Sequence, residues 1–165
     1  MGREKEAQVI YNRALKQKPD DIALVAIASN NLATLNREAN LFDSKKRIKS
    51  ATAEGLEHKL TNRQRKAISV NQCLLAALTG QSEQCFTLAD KVVKQYPATE
   101  EELALIRATA LARDGKVAEA GKLLHQQSNK YPKRKLELRL AAVQMHLAEV
   151  ITVNHLIASH MGNFL

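Results

Sequence analysis

The few glycines and prolines of this chain recur at a fixed spacing, and that spacing limits what the chain can fold into. In three places a glycine lies seventeen residues before a proline: Gly2 and Pro19, Gly80 and Pro97, Gly115 and Pro132. The last two pairs are 35 residues apart, and the 78 residues between Pro19 and Pro97 equal two such periods plus a short insertion. Because a recurring period of about 20–50 residues is typical of repeat proteins, we expect stacked copies of one small unit.

The residues between these positions predict that each unit is a pair of helices. Ala, Leu, Lys, Gln and Glu predominate there, and all are good helix formers. A glycine ends a helix cheaply in the left-handed conformation, and a proline cannot continue one. A small residue follows each glycine by five positions and allows close helix packing: Ala7, Cys85 and Ala120. These offsets resemble the tetratricopeptide repeat. They predict an all-α fold, a right-handed tetratricopeptide-type superhelix of antiparallel hairpins.

The predicted helices cover residues 3–18, 20–36, 61–79, 81–96, 99–114, 116–131 and 133–147. Asp20 and Asp21 suit a helix start, Thr61 is a candidate N-cap, and Thr99 with Glu102 has the spacing of a capping box. We expect one repeat domain over 1–147, with an irregular insertion at 37–60 that is either a degenerate second helix or an ordered loop. Residues 148–165 depart from the pattern and form either a partial repeat or a disordered tail.

Composition and motifs argue against several classes of function. The five histidines are scattered, with no two at the i, i+4 spacing that a helical metal site needs, and nucleotide-binding and nucleophile motifs are absent from the sequence. We therefore expect a protein that is not an enzyme and needs no metal or cofactor. Cys73 and Cys85 fit core packing and a reducing compartment. No apolar run approaches the roughly 20 residues that span a bilayer, so we expect a cytoplasmic protein without membrane insertion.

In this pattern the first helices of the hairpins are 20–36, 61–79, 99–114 and 133–147, whereas 3–18 is the second helix of a truncated hairpin. The first helix of each hairpin is expected to line the concave side of the stack, where a partner segment would bind. This predicted groove is mostly apolar with a few asparagines. Because an asparagine amide both donates and accepts hydrogen bonds, it suits a peptide backbone, but Asn30 and Asn71 could equally bridge neighbouring helices. The predicted groove consists of Leu24, Ala28, Asn30, Asn31, Val70, Asn71, Leu74, Leu78, Leu105 and Thr109.

A second candidate surface is basic. The net charge is +8, and residues 37–66 contain nine Lys/Arg against four Asp/Glu, a local balance of +5. Lys45, Lys46, Arg47 and Lys49 form its densest run, which could contact phosphates or could simply be a solvated insertion. The lack of aromatic residues within the run argues against single-stranded RNA binding.

One stretch of sequence is more specific than a generic repeat. The segments 30–36, 42–46, 53–55 and 64–85 resemble the amino-terminal region of the 72-kilodalton subunit family of the signal recognition particle. The resemblance implies a cytoplasmic ribonucleoprotein that targets nascent secretory chains to the endoplasmic reticulum. It implies that the repeats hold the 68-kilodalton subunit, that the particle's RNA is contacted mainly by a segment absent here, and that contact with the ribosome is indirect.

Overall fold

The computed structural model describes residues 3–131 together with Leu138 and Ala141. Helices are the only regular elements in this part of the chain, which confirms the predicted all-α fold of tetratricopeptide-type hairpins. A short 3-10 turn, Pro97–Thr99, precedes the sixth helix. The helices are α1 (Glu4–Lys16), α2 (Ile22–Asn36), α3 (Leu41–Ala51), α4 (Asn62–Leu78), α5 (Ser82–Gln95), α6 (Glu100–Arg113) and α7 (Val117–Lys130).

The chain divides into two compact units, and the division falls within α4. Among the described residues, unit 1 takes 3–72, and unit 2 takes 73–131 with Leu138 and Ala141. Six predicted helices are present, with ends within two residues of the prediction. The helix predicted at 133–147 lies outside the described residues except for Leu138 and Ala141, which are helical and buried, and so does the tail at 148–165.

In unit 1, α1 packs against α2 and α2 packs against α3. The insertion at 37–60 thus contains a second helix, α3, which begins at the N-cap Asn40, whose side-chain oxygen accepts from the amide of Asp43. The core here unites side chains from α2, α3, α4 and the turns before α4. Because two of the five are alanines, the helices can approach closely. The core residues are Ala26, Ala51, Leu56, Leu60 and Ile68.

In unit 2, α6 packs against both α5 and α7. Gly80 and Gly115 have φ angles of +69° and +78°, the left-handed conformation predicted for the end of a first helix. The amide of Gln81 donates to Ala76 O at 2.9 Å, and that of Lys116 donates to Leu111 O at 2.9 Å. These bonds satisfy carbonyls that the last helical turn leaves without partners. The two glycines therefore end their helices as the spacing predicted.

One predicted cap is confirmed and the other is wrong. Thr61 and Gln64 form a reciprocal capping box, because Gln64 N donates to Thr61 Oγ1 at 3.3 Å and Thr61 N donates to Gln64 Oε1 at 2.8 Å. Thr99 makes no such cap. Its backbone is already helical in the 3-10 turn, and its hydroxyl donates backwards to Tyr96 O at 2.7 Å. The predicted capping box of Thr99 and Glu102 is therefore wrong.

Candidate interaction surfaces

A chain of side-chain amides connects three helices of unit 1. Asn71 of α4 donates from Nδ2 to Asn30 Oδ1 at 2.9 Å and to Thr34 Oγ1 at 3.2 Å, both on α2. Asn30 donates in turn to Asn31 Oδ1 at 3.3 Å, and Asn31 donates to the hydroxyl of Tyr11 on α1 at 2.9 Å. Asn30 is only 6% exposed. We call these five residues the asparagine network.

The asparagine network shows that Asn30 and Asn71 do bridge neighbouring helices. Both bonds from Asn71 use its Nδ2 donor, and no hydrogen bond to its Oδ1 occurs within the described residues. Asn71 is half-buried, so it keeps an acceptor near the surface. Bridging by Nδ2 is therefore compatible with a contact between Oδ1 and the N–H group of a bound peptide.

The ten residues of the predicted groove differ widely in exposure. Leu24 is 43% exposed, and four others are half-buried: Asn31, Asn71, Leu74 and Leu105. The remaining five are buried in the chain itself: Ala28, Asn30, Val70, Leu78 and Thr109. Buried residues can shape a surface without touching a partner, so the accessible five are the ones that could make direct contact. Partner binding at these positions stays a prediction.

The predicted groove residues divide between the two units. Unit 1 brings together Asn30, Asn31 and Asn71 through the asparagine network, on α2 and α4. In unit 2, Thr109 of α6 is fully buried and its hydroxyl donates to Leu105 O one turn earlier at 3.0 Å. Thr109 is thus satisfied within its own helix.

The basic run lies on α3, where its four residues behave in two ways. Arg47 is held by the chain, because its Nε donates to the carboxylate of Asp43 and its Nη2 donates to Asn12 Oδ1 of α1 at 3.2 Å. Asp43 also accepts from Asn36 Nδ2 at 2.8 Å. Burial alone would raise the pKa of Asp43, but the hydrogen bonds from Arg47 and Asn36 outweigh it and lower the pKa. Arg47 is therefore a structural residue that ties α3 to α1.

The three lysines of the run face solvent. Lys45, Lys46 and Lys49 are all exposed, and none forms an ion pair within residues 3–131. The sequence pattern missed an aromatic neighbour: Phe42, three residues before Lys45, is 85% exposed. Aromatic residues are absent from the run itself, but the helix face that carries the run includes Phe42. The helical period of 3.6 residues was the signal that could have found Phe42.

The cysteines pack in unit 2. Cys73 and Cys85 are both fully buried and free, as expected for core residues. Burial raises the pKa of Cys73 to about 12 and that of Cys85 to about 11, so both remain protonated and unreactive near neutral pH.

In the part of the chain that the structure describes, no group of three His, Cys, Asp or Glu side chains could hold a metal ion. Within the same residues, no helix has the length and apolar character that a bilayer span requires.

The fold and these surfaces are typical of a helical-repeat protein built from tetratricopeptide-type hairpins. Comparison with known proteins then gives a specific result. The chain is 39% identical, over 150 residues, to the signal recognition particle subunit SRP72 of Homo sapiens, an alignment that covers 90% of this chain and 22% of that protein. It is 36% identical over 146 residues to SRP72 of Schistosoma mansoni, covering 87% of this chain and 20% of the relative.

A more distant relative agrees, since SRP72 of Caenorhabditis elegans is 31% identical over 124 residues, or 75% of this chain and 19% of the relative. No protein-family model matches the chain. The chain spans about a fifth of the length of the curated relatives it matches. The chain is therefore homologous to about a fifth of the SRP72 subunit, which confirms the resemblance seen in the sequence.

Proposed function

We propose that this chain is a non-catalytic scaffold of the signal recognition particle, acting in co-translational targeting of proteins to the endoplasmic reticulum. The observation that carries the proposal is the 39% identity to SRP72 over 90% of the chain. The all-α hairpin architecture supports it, because stacked hairpins present long surfaces for other proteins. In this proposal the chain is cytoplasmic, associates with the endoplasmic reticulum surface as part of the particle, and meets the ribosome only indirectly.

The proposed partner is the 68-kilodalton subunit, bound by the first helices of the hairpins. In unit 1 the accessible apolar position is Leu24 on α2, and in unit 2 such positions are Leu74 on α4 and Leu105 on α6. When a partner covers apolar side chains of this kind, the free energy of the complex falls by roughly 25 cal/mol per Å² of apolar surface buried. Asn71 Oδ1 adds an acceptor for a backbone N–H. These features support an internal peptide segment as the ligand rather than a charged terminus.

Calorimetric titration with the carboxyl-terminal segment of the 68-kilodalton subunit tests this proposal. Leu24→Asp should weaken binding at least tenfold, because it places a charge where an apolar contact is proposed. Val9→Asp is the matched control, since Val9 is also apolar and is 66% exposed. Val9 lies on α1, which in the predicted hairpin pattern is a second helix and not one of the first helices proposed to bind. Equal binding by the wild type and Leu24→Asp would refute the assignment of this surface.

A second candidate function is direct contact with the particle's RNA through residues 37–66. The three exposed lysines of α3, which form no ion pair within residues 3–131, favour it. Contact with the particle's RNA would otherwise come mainly from a segment outside this chain. Filter binding across a salt series tests this candidate. Binding that weakens steeply with salt supports it, and the absence of binding at low salt refutes it.

A further inference from the structure

One face of α3 combines an aromatic ring with positive charge. Phe42, Lys45, Lys46 and Lys49 occupy positions i, i+3, i+4 and i+7, which lie along one side of a helix. All four are exposed, and Phe42 is the most exposed large apolar side chain described, at 85%. At 1.5 Å of rise per residue the row extends about 10 Å along the helix axis. We call these four residues the α3 stripe.

The rest of α3 explains why these four residues are available. Ser44, Ile48 and Ala51 are buried on the opposite side, where α3 packs against α2. Arg47 is bound to Asp43 and Asn12, so the acidic side chain of α3 is already neutralised by an internal partner. The lysines of the stripe form no ion pair within residues 3–131, so their ammonium groups can contact an external ligand. Phe42 makes no contribution to the buried side of the helix.

The composition of the stripe favours one class of ligand. A membrane surface needs a broad apolar face to insert, whereas the apolar residues of α3 other than Phe42 and Leu41 face the interior. An RNA duplex keeps its bases stacked and is recognised mostly through its shape, its 2′-hydroxyls and its phosphates, so it offers an exposed phenylalanine no free base to stack on. A single strand offers both of the required groups, because its bases can stack on an aromatic ring while its phosphates contact lysines.

We propose that the α3 stripe is a contact site for single-stranded RNA, in which Phe42 stacks on a base and Lys45, Lys46 and Lys49 contact the flanking phosphates. This inference rests on the second candidate function above and deepens it, by naming the strandedness of the ligand and a residue that stacks on a base. Arg47 is excluded from the site, because it is a structural residue.

The test measures binding of the 165-residue chain to a fluorescently labelled oligouridylate by anisotropy across a salt series. Replacing the three lysines by glutamine should reduce the slope of log K against log salt by about 2, since each phosphate contact to a single strand contributes about 0.7. A matched control replaces Lys91, Lys94 and Lys122, which are exposed in unit 2, and should leave the slope unchanged.

The aromatic residue is tested separately. Phe42→Ala should weaken binding at least fivefold at every salt concentration without changing the slope, Phe42→Tyr should restore it, and Ile10→Ala, at a residue 64% exposed on α1, should have no effect.

The outcomes separate the two levels of the proposal. If the wild type does not bind the oligouridylate at low salt, the stripe is refuted, whereas the second candidate function is refuted only if filter binding to the particle's RNA is absent as well. If the lysine variant loses the slope but Phe42→Ala binds normally, RNA contact survives and the stacking site is refuted. If oligoglutamate competes as well as the oligouridylate and depends equally on Phe42, the stripe binds an acidic protein segment and the proposal is overturned.

Discussion

Replacement of Asn71 by alanine tests whether the asparagine network holds α4 against α2. The change removes the donor to Asn30 Oδ1, an acceptor on a side chain that is only 6% exposed. Thr34 loses less, because its hydroxyl still donates to Asn30 O at 3.0 Å. One buried acceptor is therefore left without its partner, which typically costs about 1–3 kcal/mol.

The expected loss is about 2 kcal/mol in the free energy of unfolding, which corresponds to a fall in Tm of about 4–8 °C for a chain of this size. Urea denaturation followed by circular dichroism measures it. Gln72→Ala is the control, because Gln72 is the next residue on α4, is half-buried and also carries a side-chain amide. That control should change stability by less than about 0.5 kcal/mol.

A double-mutant cycle makes the test specific. Asn30→Ala combined with Asn71→Ala should cost less than the sum of the single changes, with a coupling of at least about 0.5 kcal/mol. If Asn71→Ala is as stable as the wild type, or if the two changes are strictly additive, the network does not hold the helices together and the reasoning fails.

Three further predictions concern other parts of the fold. Gly80→Ala should destabilise the chain by about 1–2 kcal/mol in thermal melts, because the φ of +69° is strained for any residue with a Cβ atom; an unchanged Tm would contradict the helix-ending role. Cys73 and Cys85 should react with a thiol reagent at pH 8 only after unfolding in urea, since burial raises both pKa values; fast reaction of the native chain would contradict their place in the core. Because the folded pKa of Asp43 is lowered, its carboxylate stabilises the fold above the unfolded pKa, and this contribution disappears as the pH falls through the folded value. The stability difference between wild type and Asp43→Asn should therefore shrink in acid, and a difference independent of pH would refute the interaction.

The helix ends were predictable because they depend on local chemistry. Gly80 and Gly115 end helices through their own backbone freedom, and Thr61 begins one through a side chain three residues away. Thr99 shows where this local rule fails. The sequence has the spacing of a capping box there, but Pro97 starts a 3-10 turn that draws the threonine into helical geometry before it can act as a cap.

The interaction surfaces were less predictable because they depend on which side of a helix meets a neighbour. The run 45–49 contains four basic residues that look equivalent in the sequence. Packing of α3 against α2 turns Arg47 toward Asp43 and α1 and leaves the lysines outside. The same packing exposes Phe42. Likewise, Asn30 and Asn71 are 41 residues apart in the chain, and nothing in the sequence shows that their amides form a hydrogen bond between α2 and α4.

Site-specific photo-crosslinking tests whether the first helices hold the 68-kilodalton subunit. A photoreactive amino acid would replace Leu24 on α2 or Leu105 on α6, and Val9 on α1 would carry it as the control. In the reconstituted particle, we expect crosslinks from the first two positions to the carboxyl-terminal region of the 68-kilodalton subunit and none from Val9. Crosslinks from Val9 alone, or from neither first helix, would contradict this expectation.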